Sequence, residues 1–276
     1  MNTRKFLVLP RVGCELASNV PYLRGRATAE LDVTIRNSRL VDRFASQYVR
    51  IFGVPEIGVQ LRVVHVLRSL PIVNSLIDLG CGAGFLFGAL ERVGRIAQMT
   101  GIDIDAESVR IAQAAHPRAR CLVADALSYG EDNAYDAAIS VDVLEHLAPS
   151  DVARFFSNSY RLLKRGGTLV VHVPAEGQQR HLRRFRQWEH HDHKREGLTA
   201  SELKDCAQNA GFSSTHACST IGVGASLAWE LNMLCAGTPL QAVAFPPLMA
   251  LAAVADSFPL KRGNGILLVA QREARR

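Results

Sequence analysis

Between residues 72 and 173 the chain repeats short apolar runs that alternate with longer segments of helical periodicity. The runs predict strands at residues 72–79, 98–102, 120–123, 135–141 and 167–173, with helices that begin at residues 85, 106 and 150. A helix over residues 199–210 and strands at 212–219 and 265–270 complete the pattern. Strands that alternate with helices predict an α/β fold: a doubly wound, mostly parallel, seven-stranded Rossmann-like sheet with helices on both faces.

Three segments do not fit this repeat. Apolar residues at helical spacing predict helices over residues 31–52 and 57–70, so residues 1–70 are interpreted as a helical cap before a domain that spans 71–276. Two insertions, 174–198 and 220–262, leave from the carboxyl ends of strands. Ligands bind at that edge of an open parallel sheet, which predicts that the insertions form a substrate lid.

The strongest chemical signal follows the first strand, where residues 78–84 read DLGCGAG. Gly80, Gly82 and Gly84 lie between a buried strand and a helix, where glycines allow a tight turn and a close approach of the backbone to a ligand. Asp78 precedes the first glycine by two positions. Its carboxylate would attract a cationic amino group and repel a pyrophosphate, so the segment argues against a dehydrogenase.

Acidic residues also end the next two strands. Asp103 is placed to accept hydrogen bonds from both hydroxyls of a ribose. Asp125 could accept a hydrogen bond from an adenine amino group, with Ile104 and Ala126 on either side of the ring. Three acidic residues at successive strand ends after a glycine loop predict a site for an adenosine-containing cation.

Residues 77–86, 101–105, 124–125, 135–147 and 162–174 together resemble the class I S-adenosylmethionine (SAM)-dependent methyltransferases. Within that class they are similar to the small-molecule group that carries DhGCGxG and a later EH pair. The resemblance implies SAM as cofactor, S-adenosylhomocysteine as product, and a sheet whose last strand is antiparallel. It also implies cofactor contacts by Cys81 and Val141.

A general base assists methyl transfer to a hydroxyl or a protonated amine, and two segments could supply it. The first is the turn after the fourth strand, where Asp142, Glu145 and His146 could converge. A similar turn is associated with magnesium in ubiquinone-pathway O-methyltransferases. The imidazole is a less usual magnesium ligand, so the residues alone predict no metal site and leave Mg²⁺ as the alternative.

The second segment is residues 188–199, which contains His190, His191 and His193. The family often has a histidine and an arginine before the next helix, which match His193 and Arg195. We predict His193 and His146 as the catalytic residues. The alternative is that these histidines are polar loop residues.

Charge and composition limit the kinds of binding partner and the compartment that we expect. The chain carries 32 Lys and Arg against 26 Asp and Glu, with much of the excess within residues 180–195. This local excess suggests an anionic group on the partner, or a solvated face. Its six cysteines lack metal-binding spacing, and no export segment is evident, which favours a cytoplasmic protein.

Residues 231–255 carry no charge, but prolines interrupt them, which argues against a transmembrane helix. They predict a buried lid, with a peripheral membrane contact as the alternative. The expected acceptor is a small amphiphilic or apolar metabolite with an anionic end, methylated on O or N. The alternatives are an RNA or protein methyltransferase that uses the basic 180–195 segment, although no nucleic-acid module is visible, and a SAM-binding protein without catalysis. The sequence does not indicate the oligomeric state.

Overall fold

The computed structural model describes residues 55–93, 96–185, 193–258 and 262–274. One seven-stranded sheet has the order β3-β2-β1-β4-β5-β7-β6, in which β7 is antiparallel to both of its neighbours. This confirms the predicted fold class. The strands are β1 (Ser75–Leu79), β2 (Gln98–Asp103), β3 (Arg120–Val123), β4 (Tyr135–Val141), β5 (Leu163–Pro174), β6 (Ser214–Thr220) and β7 (Gly265–Gln271).

Helices cover both faces of the sheet. Residues of three helices share one apolar cluster with β1 and β4, and residues of two others share a second cluster on the opposite face. Alternate residues of β5 divide between the two, with Val170 in the first and Val171 in the second. The helices are α1 (Ile57–Ser69), α2 (Phe85–Val93) and α3 (Ala106–Ala115) on the first face, and α4 (Val152–Leu162) and α5 (Ala200–Asn209) on the second.

The insertion between β6 and β7 forms a pair of helices, α6 (Val223–Leu234) and α7 (Pro239–Ala255). Its buried side chains, among them Phe245 and Ala252, pack with Ile57 and Leu61 of α1 in a third cluster. The insertion therefore rests on α1, and α1 in turn packs on the sheet. Whether the pair covers a substrate stays a prediction.

The outer surface of this helix pair is apolar. Within the described residues its only charged side chains, Glu230 and Asp256 at its end, are buried. No described helix is both long and apolar enough to span a membrane. The pair carries nine of the twelve most exposed large apolar side chains of the described residues: Val223, Leu227, Leu231, Leu234, Leu240, Val243, Leu251, Val254 and, just beyond α7, Phe258.

Several predicted boundaries shift. The first strand begins at residue 75 instead of 72, since Ile72 is 81% exposed. The fifth begins at residue 163 instead of 167. The helix predicted over residues 199–210 begins at Ala200, because Thr199 is its N-cap and accepts the Glu202 N–H, while the Glu202 carboxylate pairs with Arg195. The helix predicted over residues 31–52, with most of the predicted N-terminal cap, lies outside the described residues.

Candidate functional site

The glycine loop joins β1 to α2 at the carboxyl edge of the sheet. Gly80 has φ +86°, and a Cβ there would lie 2.3 Å from Cγ2 of Val143, so a side chain would collide with the turn after β4. Gly82 has φ +50°, but a Cβ there would meet nothing within 4 Å. The first glycine is therefore required by packing, whereas the second leaves open space in which a ligand can approach the backbone.

Asp103, at the end of β2, joins that loop to its own strand. Its Oδ2 accepts a hydrogen bond from the Gly82 N–H at 2.8 Å, and its Oδ1 accepts one from the Asp105 N–H at 2.9 Å. Each carboxylate oxygen can accept a second hydrogen bond. Asp103 can therefore hold the loop and receive ribose hydroxyls at the same time.

Asp78 lies beneath the loop with 4% of its surface exposed. Within the described residues no donor hydrogen-bonds to its carboxylate. Burial raises the pKa of Asp78 to about 8, and the nearby charge of Asp103 adds to the effect. A buried carboxyl group of this kind fits a cationic ligand, whose charge would compensate the ionised form.

The side chains predicted to hold an adenine lie at the ends of β2 and β3. Ile104 is 76% exposed although it is large and apolar, as a surface for an aromatic ring would be. Asp125 is exposed and accepts the Leu127 N–H at 2.9 Å, while Ala126 is held through its carbonyl by the Asn158 amide. The arrangement is compatible with the predicted roles, which stay predictions.

The other residues predicted to contact the cofactor lie in or beside the glycine loop, where they pack against neighbouring side chains. The thiol of Cys81 is buried, and a Cβ on Gly101 would lie 2.8 Å from its Sγ, so this side chain fills the space below the loop. A Cβ on Gly84 would lie 2.9 Å from Cδ2 of His116. Val141 is half-buried at the end of β4, beside His172 of β5.

The turn after β4 contains a buried carboxyl group. Asp142 adopts φ +54°, and residues Leu144–His146 form a 3-10 turn. Glu145 is 1% exposed, and neither of its carboxylate oxygens has a hydrogen-bond partner among the described residues. Burial raises the pKa of Glu145 well above its usual value, and the Asp142 charge adds to it.

The two predicted catalytic histidines, which lie 47 positions apart in the sequence, meet at this turn. The rings of His146 and His193 are 4.8 Å apart between centroids and nearly perpendicular. The Lys194 N–H donates to the Glu145 carbonyl at 2.8 Å, which fixes the segment that carries His193. His190 and His191 lie outside the described residues.

Glu145, His146 and His193 also form a possible ligand set. One ligand atom from each lies within 4.8 Å of the others. A carboxylate with two imidazoles suits a zinc- or iron-type cation better than Mg²⁺, which prefers oxygen ligands. Asp142 does not belong to the set, because its carboxylate pairs with Arg62 at 2.8 Å. The absence of a metal from the protein's chemistry stays a prediction.

A polar network, which the sequence analysis missed, extends from that half-buried ion pair into the interior. The other Asp142 oxygen lies 3.6 Å from Nδ1 of His172, whose ring stacks on His65 of α1 with centroids 6.4 Å apart. His65 in turn lies 2.5 Å from a carboxylate oxygen of Asp256. This polar network connects the turn after β4 to α1 and to the end of α7.

The charged groups of this polar network stabilise one another. Burial acts to raise the pKa of Asp142, but the Arg62 charge and His172 outweigh it and the pKa is lowered. Burial likewise acts to raise the pKa of Asp256, but His65 and the N–H groups of Gly222 and Ile221 outweigh it. Both carboxylates are therefore held ionised near neutral pH.

A cavity of about 380 Å³ opens at the same edge of the sheet, beyond β5. Its wall includes Glu176 and His181 of the first insertion, Thr199 at the start of α5, and Ser226 of α6. Both insertions therefore border this space, together with residues that precede β7.

The described residues of the basic segment 180–195 do not form one positive face. Arg195 makes two hydrogen bonds to Glu202, and Arg180 lies over the ring of Trp229 at 4.8 Å. Arg183 and Arg184 are exposed. Arg186 and Trp188 lie outside the described residues.

Comparison with known proteins agrees with this geometry. Residues 77–171, which are 95 of the 276 residues, match a family model described as a methyltransferase domain. They include the glycine loop, Asp103 and the turn with Glu145 and His146. The chain carries a class I SAM-dependent methyltransferase domain.

Two relatives match a larger part of this chain. A protein of Mycolicibacterium smegmatis named a probable S-adenosylmethionine-dependent methyltransferase is 30% identical over 177 residues, which are 61% of this chain and 63% of the relative. A ubiquinone biosynthesis O-methyltransferase of Methylocella silvestris is 32% identical over 132 residues, 46% and 47% of the two chains. The chain thus spans about half to two thirds of these relatives.

Solved structures share the fold. A SAM-dependent methyltransferase of Thermotoga maritima has a TM-score of 0.54 at 17% identity, over 84% of this chain and 97% of that one. Phosphoethanolamine N-methyltransferase 2 of Haemonchus contortus has a TM-score of 0.56 at 21% identity, over 82% and 56%. The cyclase SpnF has 0.52 at 22% identity, over 79% and 82%, so the fold by itself does not determine the reaction.

Proposed function

We propose that this methyltransferase uses SAM to methylate an oxygen or nitrogen atom of a small, amphiphilic or apolar metabolite. The observation that carries the proposal is the buried Asp78 carboxyl group beneath the glycine loop, which has no donor among the described residues, together with Asp103 at the end of β2. A cationic ligand compensates the first, and a ribose satisfies the free lone pairs of the second.

On the donor side, the open space at Gly82 would receive the ligand against the backbone, and Ile104 would cover one face of the adenine. Bound SAM would supply an electrophilic methyl group on a sulfonium and leave as S-adenosylhomocysteine. The task of the chain is then to hold the acceptor atom in line with the carbon–sulfur bond that breaks.

On the acceptor side, His193 and His146 are the proposed general bases. Their contact at 4.8 Å would allow one imidazole to take the acceptor proton while the other orients it. Burial raises the pKa of Glu145, which disfavours a competing negative charge beside the two imidazoles. If a divalent cation is part of the site, Glu145, His146 and His193 would hold it, and the cation would polarise the acceptor oxygen.

The apolar outer surface of α6 and α7 supports an acceptor with apolar parts. It allows a peripheral contact with a membrane in which such a molecule is dissolved, and this contact belongs to the proposal. Two ubiquinone biosynthesis O-methyltransferases among the relatives are consistent with O-methylation, but their identity to this chain is 32% over less than half of its length.

The test is methyl transfer from labelled SAM into a cell extract that is then split into organic, aqueous and macromolecular fractions. We expect label in the organic or small-molecule fraction, and much less of it with an Asp103→Ala variant at limiting SAM concentration. Label in RNA or protein would refute the small-molecule acceptor and favour the basic segment as the substrate site. No transfer, with SAM binding intact, would favour a SAM-binding protein without catalysis.

A further inference from the structure

Arg180 is held in place on an aromatic side chain. Its guanidinium lies over the ring of Trp229, 4.8 Å from the centroid. Trp229 is itself fixed, because its indole N–H donates to Glu56 and its ring packs on Phe185 with centroids 5.8 Å apart. A stacked guanidinium loses less conformational entropy on binding a ligand than a free side chain does.

The carboxylates around Arg180 are engaged elsewhere. Glu230 is fully buried, and its oxygens accept the backbone N–H groups of His181, at 2.8 Å, and of Leu182, at 2.5 Å. Arg180 donates one hydrogen bond, to the Gln178 side-chain oxygen at 2.6 Å. Among the described residues no carboxylate oxygen lies within 4.0 Å of its guanidinium, which retains donors for a further acceptor.

Arg180 is connected to the turn after β4 through α1. Trp229 contacts α1 at Gly58, where an added Cβ would be 2.9 Å from the indole ring. Arg62 follows one turn later on the same helix face, about 6 Å along the axis, and pairs with Asp142 after β4. The ring of Trp229, over which Arg180 lies, therefore contacts one turn of α1, and the Arg62–Asp142 pair lies on the next turn of the same face.

The environment of Arg180 favours an anion. Burial lowers its pKa, the Glu230 charge opposes this in part, and the Arg62 charge lowers the pKa further. A partly desolvated guanidinium gains from an oxyanion more than an exposed surface arginine does, because less water screens the interaction.

We propose that Arg180, on its Trp229 support, binds an oxyanion group of the methyl acceptor, a carboxylate or a phosphate. The inference deepens the proposed function by giving the amphiphilic acceptor an anionic end and a subsite for it. It rests on the acceptor lying at the turn after β4, but the binding site can be tested without SAM or methyl transfer.

The chain has two tryptophans, so a Trp188→Phe background leaves Trp229 as the sole indole reporter. The full chain is titrated with inorganic phosphate and, separately, with benzoate, and Trp229 emission is recorded. We expect a saturable change with at least one probe. Arg180→Met should weaken binding roughly tenfold or more, whereas Arg184→Met, an equal loss of charge on an exposed neighbour, should change it less than about twofold.

Arg180→Lys keeps the charge without the planar fork and should give an intermediate affinity. Saturation by phosphate alone would assign the subsite to phosphate groups, and saturation by benzoate to carboxylates. Equal affinities in the wild type and Arg180→Met, an equal loss in Arg184→Met, or no saturable change would each overturn the proposal. SAM binding, measured separately by calorimetry, would then still report on the proposed function.

Discussion

Asp78 should make SAM binding depend on pH. With a pKa of about 8 the ligand-free carboxyl group holds its proton at pH 7 in roughly nine-tenths of the molecules. The ammonium of SAM favours the ionised form, so binding releases this proton. The sign follows: affinity rises with pH up to about 8 and then stops rising on account of this group.

The magnitude follows from the same pKa. If bound SAM holds Asp78 ionised throughout, the fraction of competent protein increases roughly 50-fold between pH 6 and pH 8. The α-amino group of the ligand, which loses its proton near pH 8, opposes this trend above that value. The affinity should therefore pass through a maximum close to pH 8.

Calorimetry in buffers of different ionisation enthalpy measures both quantities. At pH 7 the wild type should release close to one proton per SAM bound. Asp78→Asn should bind SAM more weakly and release no proton. Adenosine lacks the α-amino group of SAM, so its binding should show no pH dependence with either protein. A pH dependence that persists in Asp78→Asn, or no proton release by the wild type, would refute the reasoning.

Three further outcomes are expected. Asp103→Ala should weaken SAM binding by about 1.5–3 kcal/mol, because it removes both the ribose acceptor and the Gly82 anchor; calorimetry with unchanged affinity would contradict this. His193→Ala should lower kcat for the methyl transfer roughly 100-fold or more while SAM affinity stays constant, and equal turnover would remove the histidine from the acceptor site. Arg62→Met should lower the free energy of unfolding by about 1–3 kcal/mol in urea, since it leaves Asp142 without its cation, whereas exposed Arg68→Met on the same helix should change it little.

The positions of the proposed donor-site residues in the fold could be predicted because their signals are local. Strands β3 and β4 have the predicted bounds, and the glycine loop and Asp103 lie where the alternation of strands and helices places them. A parallel sheet with crossover helices brings successive strand ends to one edge whatever the other residues are. The prediction needed no long-range contact beyond strand pairing.

Boundaries near glycines were less predictable. Gly166 has φ +77°, and β5 still begins before it, at Leu163, where it pairs with Tyr135 across an irregularity in the β4–β5 register. The apolar pattern predicted a strand that begins only at residue 167, after this glycine. Pairing with β4 outweighs that local pattern.

The polar network behind the proposed acceptor site could not be predicted, because its groups find partners far away in the sequence. Arg62 and His65 interrupt an otherwise apolar helical pattern, which is itself a signal: a charged group on a packed helix face must be paired or neutralised. The pattern states that partners exist but not that they are Asp142 and Asp256, at sequence separations of 80 and 191. Arg180 presents the reverse case, since its charge was counted with a basic surface until Trp229 and Glu230 defined its surroundings. A charged residue on a packed helix face therefore indicates that a counter-charge is required. Which residue provides it depends on how α1 packs against the rest of the fold, and the sequence pattern does not show that packing.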